Sequence, residues 1–541
     1  MNRRVMGWLS ALGIVVAILG SLAYYGVRAI RPPPASAAIP IHTALGTIQG
    51  TREAGLTVYR GIPYAKPPIG DLRWRPPQPT YWQGTLQARH FKPACMQIGG
   101  SLPGSPVEPT SEDCLGLNVW TPATHPDEKL AVMVFIYGGQ FKNGSSSPRV
   151  YWGDTLAHKG VVVVTFNYRL GVLGFLAHPG LSAESARHVS GNYALLDCIA
   201  ALTWVKENIE SFGGNPRNIT LFGQSAGAYL SSELLASPLG QGLFIRVIAM
   251  SGADIGAAGS SGDMPLKAQA EARGITFAAS LGANSVESLR KLSARTLVER
   301  GASSEIPGIN LPNIDGYVLP KSVHLALTTE AAAAHIDLMV GIDAQEGSTI
   351  VDEPLKADTY AALVRKRYGT LADRFLAHFP ARSDAEAAAS QVRLQTADVA
   401  WRTFTWARSH ATSGGGRTYG YIFSRVPPWQ PFAQLHAAGH GAELPYVFGY
   451  PPPIVFFARR WPWSASRDAL IAEQMQSYWT NFAKTGDPNG DGLPVWTPFA
   501  AGESILNFSD STSMEPLPSR DDLALIDAHM LQIASIPLDT N

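Results

Sequence analysis

Charge is scarce in this chain and neither sign dominates. Charged residues occupy 16% of 541 positions, and 43 Lys+Arg face 43 Asp+Glu for a formal net charge of zero. Nothing in that balance suggests the basic stripe a phosphate backbone would need, so no nucleic-acid partner is expected. Cysteine is scarcer still. Three residues exclude a disulfide scaffold and leave room for one pair and one thiol. No internal repeat and no low-complexity tract long enough for a linker is present, so residues 38–541 are expected to form one domain. Apolar surface is plentiful: 45% of residues are hydrophobic, with 13 Trp, 20 Phe and 18 Tyr, enough for a large packed core. The length would fill several average domains, but a single α/β domain with large insertions also reaches it.

The N-terminus points to export. Arg3 and Arg4 precede an uncharged run from Met6 to Val27, and Ala35-Ser36-Ala37 follows Pro32-Pro33-Pro34. A basic start, an apolar run and an A-x-A triplet resemble a secretory signal. The run is also long enough to span a bilayer, and Arg28 and Arg31 after it weaken the charge asymmetry. Residues 1–37 are therefore expected to be a cleaved signal or a retained membrane anchor. Either puts the rest of the chain outside the cytoplasm, periplasmic or secreted, with attachment to a membrane through this segment open.

The chemistry is announced by Asn218 to Leu230, NITLFGQSAGAYL. Four strand-like residues, Ile219 to Phe222, run into Gly223-Gln224-Ser225-Ala226-Gly227, and a helix-compatible stretch follows. This is G-x-S-x-G set as strand, sharp turn and helix, the context in which the motif presents a nucleophilic serine. The glycines allow a turn too tight for side chains, and the serine is forced into a strained backbone that exposes its Oγ. The helix start offers free N–H groups, among them Ala226 N–H, to a developing oxyanion. A serine hydroxyl also needs a base and an acid to orient that base.

Elsewhere the chain alternates continuous apolar strands with helices. Ala131 to Tyr137 and Val161 to Tyr168 read as strands of a sheet covered on both faces, and Leu195 to Ile209 reads as a crossover helix. The first strand ends in Gly138-Gly139-Gln140-Phe141, a glycine pair that exposes backbone N–H groups. His335 to Asp343 gives another strand, running into Ala344-Gln345-Glu346-Gly347. Two carboxyls, Asp343 and Glu346, sit where this kind of sheet holds a catalytic acid. Two histidines, His436 and His440, follow a late strand at Thr418 to Ser424. Cys198 lies in an apolar helical stretch and is most simply an inert core residue.

The text from Gly61 to Pro79, GIPYAKPPIGDLRWRPPQP, together with Ser111-Glu112-Asp113-Cys114-Leu115, resembles the type B carboxylesterase family, relatives of the cholinesterases, in its bacterial para-nitrobenzyl esterase form. Asn167-Tyr168-Arg169-Leu170-Gly171, Gly213-Gly214-Asn215-Pro216 and Tyr478 to Ala483 continue the match, which covers nearly all of the chain from Ile39. The resemblance implies an α/β-hydrolase fold: a large, mostly parallel central sheet flanked by helices, with insertions such as Gly256 to Gly308 capping the site. It implies a Ser225, Glu346 and His440 triad, Glu346 taking the acid role ahead of its rival Asp343. His440 is chosen because it alone stands in an H-G pair upstream of E-x-x-Y-V-F-G; His436 is left as a solvated loop residue. It also implies an oxyanion hole from the N–H groups of Gly139, Gln140 and Ala226, and a Cys95–Cys114 disulfide. No metal or diffusible cofactor is needed for such a serine esterase, whose partner is a small-molecule ester.

Two departures bear on the substrate. Relatives that hydrolyse choline esters carry a tryptophan within the first disulfide loop, whereas residues 96–113 contain no aromatic side chain; and the residue before the serine is neutral Gln224 rather than Glu. Both remove attraction for a cation, so a carboxylesterase acting on neutral esters is expected over a choline esterase. Gln140, where relatives commonly have Gly or Ala, argues against bulky tertiary-alcohol esters. A lipase is disfavoured because no long apolar lid is evident. A catalytically inactive adhesion or binding module is the alternative from another class, and the filled triad positions speak against it.

Overall fold

The structure, a computed structural model, describes residues 36–100, 108–256, 264–328, 336–351, 353–429, 435–450, 466–499 and 502–534. Most of the expected signal or anchor, including the apolar run Met6 to Val27, lies outside the described residues. Among the described residues no helix is long and apolar enough to cross a membrane.

Twelve strands of the described residues form the central sheet. In chain order they are β1 (Ser36–Ala37), β2 (Thr51–Glu53), β3 (Leu56–Pro63), β4 (Gly116–Thr121), β5 (Leu130–Ile136), β6 (Val162–Phe166), β7 (Gly214–Gln224), β8 (Arg246–Met250), β9 (Asp337–Asp343), β10 (Thr418–Phe423), β11 (Ser504–Phe508) and β12 (Ser513–Pro516). In space they run β1-β2-β3-β4-β6-β5-β7-β8-β9-β10-β11-β12. From β6 to β11 every neighbouring pair is parallel, and both ends of the sheet are antiparallel. The parallel strands read as unbroken apolar runs because both faces are covered: β6 is buried throughout, and β5 from Ala131 onward.

Four helices supply much of that cover. Helix α1 (Tyr193–Asn208) packs on β7; α2 (Ala226–Ala236) packs on β5, β7 and β8; α3 (Asp384–Thr412) on β9 and β10; and α4 (Arg467–Thr485) on β5 and β7. The last is capped at its start by the Ser466 hydroxyl, which accepts the Ala469 N–H. It stops at Gly486, whose φ of 74° terminates the helix in the left-handed region.

The order of strands locates the site. The chain leaves β5 to place β6 on one side and then β7 on the other, so the winding reverses between β5 and β7. In open α/β sheets the crevice beyond the carboxyl ends of the strands at such a reversal is where ligands bind. The residues that follow β5 and β7 are Gly138 to Phe141 and Ser225.

Residues that the sequence marks as architectural brace this end of the sheet. Cys95 and Cys114 form a disulfide with Cα atoms 5.0 Å apart. Asn167 Nδ2 donates to the carbonyls of Pro93 and Cys114 at 3.0 and 3.1 Å, tying that loop to the exit of β6. Arg169 donates to both carboxylate oxygens of Asp197 on α1 at 2.7 Å. Cys198 beside it is buried and free. The insertion after β8 builds a satellite apolar cluster in which Phe277, Leu289 and Leu297 pack with Trp74, Val172 and Leu173.

Candidate active site

Ser225 stands alone between β7 and α2, with φ 56° and ψ −125°. A non-glycine residue rarely adopts a positive φ, and the surroundings hold this one in place. Its N–H donates to the Met250 carbonyl at 2.9 Å, and its own carbonyl accepts the Ala228 and Tyr229 N–H groups at 2.8 and 3.0 Å. The flanking glycines are required by close approach. A Cβ on Gly223 would lie 2.4 Å from the Gly227 carbonyl oxygen, and one on Gly227 would lie 2.0 Å from that of Ile136. The elbow therefore depends on helix α2 pressing directly onto the backbone of β5.

The turn after β5 is equally constrained. Gly139, Gln140 and Phe141 all have positive φ, at 119°, 55° and 60°, and the Gly139 carbonyl accepts from the Lys142 and Asn143 N–H groups at 3.0 and 2.9 Å. A side chain on Gly138 would put its Cβ 2.8 Å from that of Ser225. Among the described residues the N–H groups of Gly139, Gln140 and Ala226 have no acceptor. The side chain of Phe141 packs against Phe175 with ring centres 5.4 Å apart, and its carbonyl accepts the Gly171 N–H at 2.7 Å. The short helix Gly171–Phe175 in turn packs on the insertion helix Ala294–Ala302.

Of the two candidate acids, Glu346 is the one against the imidazole. Its Oε2 lies 2.5 Å from His440 Nδ1. Its Oε1 accepts the Asp343 N–H at 2.8 Å, so both carboxylate oxygens are engaged and the group is fully buried. Asp343 makes no hydrogen bond to the ring; its Oδ2 accepts the Gly441 N–H at 2.8 Å. His440 keeps 21% of its side chain exposed. Burial pulls its pKa down, but the charge and hydrogen bond of Glu346, with Glu443 behind, outweigh burial and hold it above the ordinary value. His436 is exposed, as expected of a loop residue.

The family follows from the whole chain. Residues 37–525 match the carboxylesterase family. The chain belongs to that family. It is 37% identical over 493 residues to a fumonisin B1 esterase of Sphingopyxis macrogoltabida, covering 86% of each chain. It is 35% identical over 472 residues to the para-nitrobenzyl esterase of Bacillus subtilis strain 168, covering 84% of this chain and 91% of that one. A solved PNB esterase structure superposes with a TM-score of 0.77 at 31% identity, covering 90% of this chain and 99% of the other. The protein is thus a carboxylic ester hydrolase of the para-nitrobenzyl esterase type with an α/β-hydrolase fold.

Two features of this carboxylesterase escape a motif-level reading. Gln224 Nε2 lies 3.3 Å from His440 Nε2, so the residue before the serine touches the far nitrogen of the same ring. Glu443, which serves in the sequence only to mark the histidine's context, is completely buried beside Asp343. Both contacts join residues far apart in the chain, and no local pattern announces them.

Proposed function

We propose that this carboxylesterase hydrolyses neutral carboxylic esters through an acyl-enzyme on Ser225. The observation that carries the reading is the 2.5 Å contact between Glu346 Oε2 and His440 Nδ1. With Nδ1–H donated to the carboxylate, Nε2 keeps its lone pair for a proton. Nε2 takes the Ser225 proton as Oγ bonds to the ester carbonyl carbon. The carbonyl electrons move to oxygen, where the N–H groups of Gly139, Gln140 and Ala226 hold the charge. Collapse breaks the bond to the alkoxy oxygen, which leaves as alcohol with the proton from His440. Water then gives a proton to His440 and attacks the acyl carbon; the acid departs and Ser225 regains its proton. Glu346 keeps the Nδ1–H bond and stabilises the imidazolium.

Neutral substrates are favoured because the residue against the imidazole is the uncharged Gln224 and residues 96–113 offer no aromatic face to a cation. The names of the relatives, a para-nitrobenzyl esterase and a fumonisin B1 esterase, support aryl and alkyl carboxylic esters as first probes. Hydrolysis of p-nitrophenyl esters from acetate to palmitate should be abolished in Ser225→Ala, and kcat/KM for p-nitrophenyl butyrate should exceed that for butyrylthiocholine. Unchanged turnover in the alanine variant would remove the nucleophile, and a preference for the thiocholine ester would remove the neutral-substrate reading. We place the mature protein outside the cytoplasm, supported by the basic and apolar N-terminus and by the Cys95–Cys114 bond. The redox state of that pair in protein recovered from cells tests the placement.

A further inference from the structure

Asp343 and Glu443 are both wholly buried, and their carboxyl groups lie within hydrogen-bond reach of each other. Asp343 Oδ1 and both carboxyl oxygens of Glu443 meet no N–H or O–H donor among the described residues. Neither group makes an ion pair with an arginine or lysine there. Two bare carboxylates side by side in such a place would repel each other and lack solvation. A proton between them removes the repulsion and gives Asp343 Oδ1 and one Glu443 oxygen a partner.

The position of Asp343 gives the pair a task. Its backbone N–H holds Glu346 Oε1 at 2.8 Å, and its side-chain Oδ2 holds the Gly441 N–H at 2.8 Å. One residue therefore fixes the second oxygen of the acid and the backbone next to the base. We propose that Asp343 and Glu443 share one proton and that Asp343, steadied by that bond, is a positioning residue for Glu346 and His440. This rests on the triad reading of the site. Burial first, and then the Glu443 charge, push the Asp343 carboxyl well above the ordinary carboxylate range; burial also raises Glu443. The titratable groups that face the pair are Glu346 and His440 from the two loops, Tyr421 from β10, and Tyr151, which feels Glu443. At working pH the pair carries one negative charge. Loss of its proton at higher pH leaves two adjacent carboxylates beside Glu346, and their repulsion pulls Oδ2 from Gly441.

The test uses the full chain and three variants. Asp343→Asn keeps an acceptor for Gly441 and supplies an N–H to Glu443, so kcat near neutral pH should stay within about threefold of wild type. Its activity should also persist further into alkali than that of wild type. Asp343→Ala removes both bonds, and kcat for p-nitrophenyl acetate should fall roughly 10- to 100-fold with little change in KM, as expected for a displaced catalytic group. The infrared difference spectrum of wild type minus Asp343→Asn at neutral pH should show the carbonyl band of a protonated carboxylic acid, beyond any band from other buried carboxyls such as Glu233 that both proteins share. An alanine variant with wild-type kcat, or an asparagine variant with an unaltered alkaline limb and an unaltered infrared band, overturns the proposal. Should the alanine variant fail to fold, the asparagine profile and band decide alone. Ser225→Ala separates the two readings: if it is inactive while the Asp343 variants behave as wild type, the triad stands and the shared proton falls.

Discussion

At the scale of single residues, the candidate site gives one imidazole two unequal neighbours. Nδ1 of His440 faces a buried carboxylate at 2.5 Å, and Nε2 faces the neutral Gln224 amide at 3.3 Å. Glu346 stabilises the protonated ring, so the pKa of His440 sits above the ordinary value of about 6.5. In the mechanism we propose, the base must be neutral to accept the serine proton, so activity should be present above that raised pKa and lost as pH falls through it. Glu346→Gln removes the charge. Its acid limb should move to lower pH, while kcat should drop by about a thousandfold because the ring loses the group that fixes its tautomer. A pH profile of kcat/KM for p-nitrophenyl acetate checks both directions. An acid limb that stays put would mean that Glu346 does not set the ionisation of the base.

At the scale of elements, the site depends on how close a helix comes to a strand. Helix α2 meets β5 through Gly227, whose missing side chain leaves space only for the Ile136 carbonyl. Gly227→Ala should cost about 3 kcal/mol, the upper end for overpacking a tight contact, and should lower kcat as Ser225 shifts with its helix. Urea denaturation with a parallel esterase assay measures both, and a variant with wild-type stability would show that the contact yields at no cost. This dependence explains what could be read in advance. G-x-S-x-G is legible because strand, turn and helix are contiguous, so the glycines and serine needed at each step fall in one short stretch. The parallel strands are legible because burial on both faces leaves unbroken apolar runs such as Val161 to Tyr168. The choice between Asp343 and Glu346 is open to local reasoning, since Asp343 ends β9 and Glu346 follows it within one turn. Only the placement of His440 beyond β10 separates them, and β10 reaches β9 through a register linking Asp343 to Phe423. The shared environment of Asp343 and Glu443 arises from the same pairing, so no spacing rule exposes it.

At the scale of the whole molecule, the scarcity of cysteine becomes informative. Of three cysteines, Cys198 is buried against the core and unpaired, whereas Cys95 and Cys114 close a loop with a sequence separation of 19. The loop is tied to the exit of β6 through the two hydrogen bonds from Asn167, which leads by way of Arg169 and Leu170 to the helix packed under Phe141 of the candidate oxyanion turn. Closing a loop of this length is worth about 3 kcal/mol in the chain-entropy model. A reducing cytosol would withhold that contribution, because its thiol pool keeps such pairs open. Full-length protein recovered from cells, unfolded under acid quench and alkylated, should therefore take up one equivalent of reagent, at Cys198. Reducing it before a denaturation experiment should then lower stability by about 3 kcal/mol. Three equivalents in the recovered protein would place it in a reducing compartment and remove the case for export. One equivalent with no loss of stability on reduction would keep the compartment and show that Asn167 and the surrounding packing hold the loop without the bond.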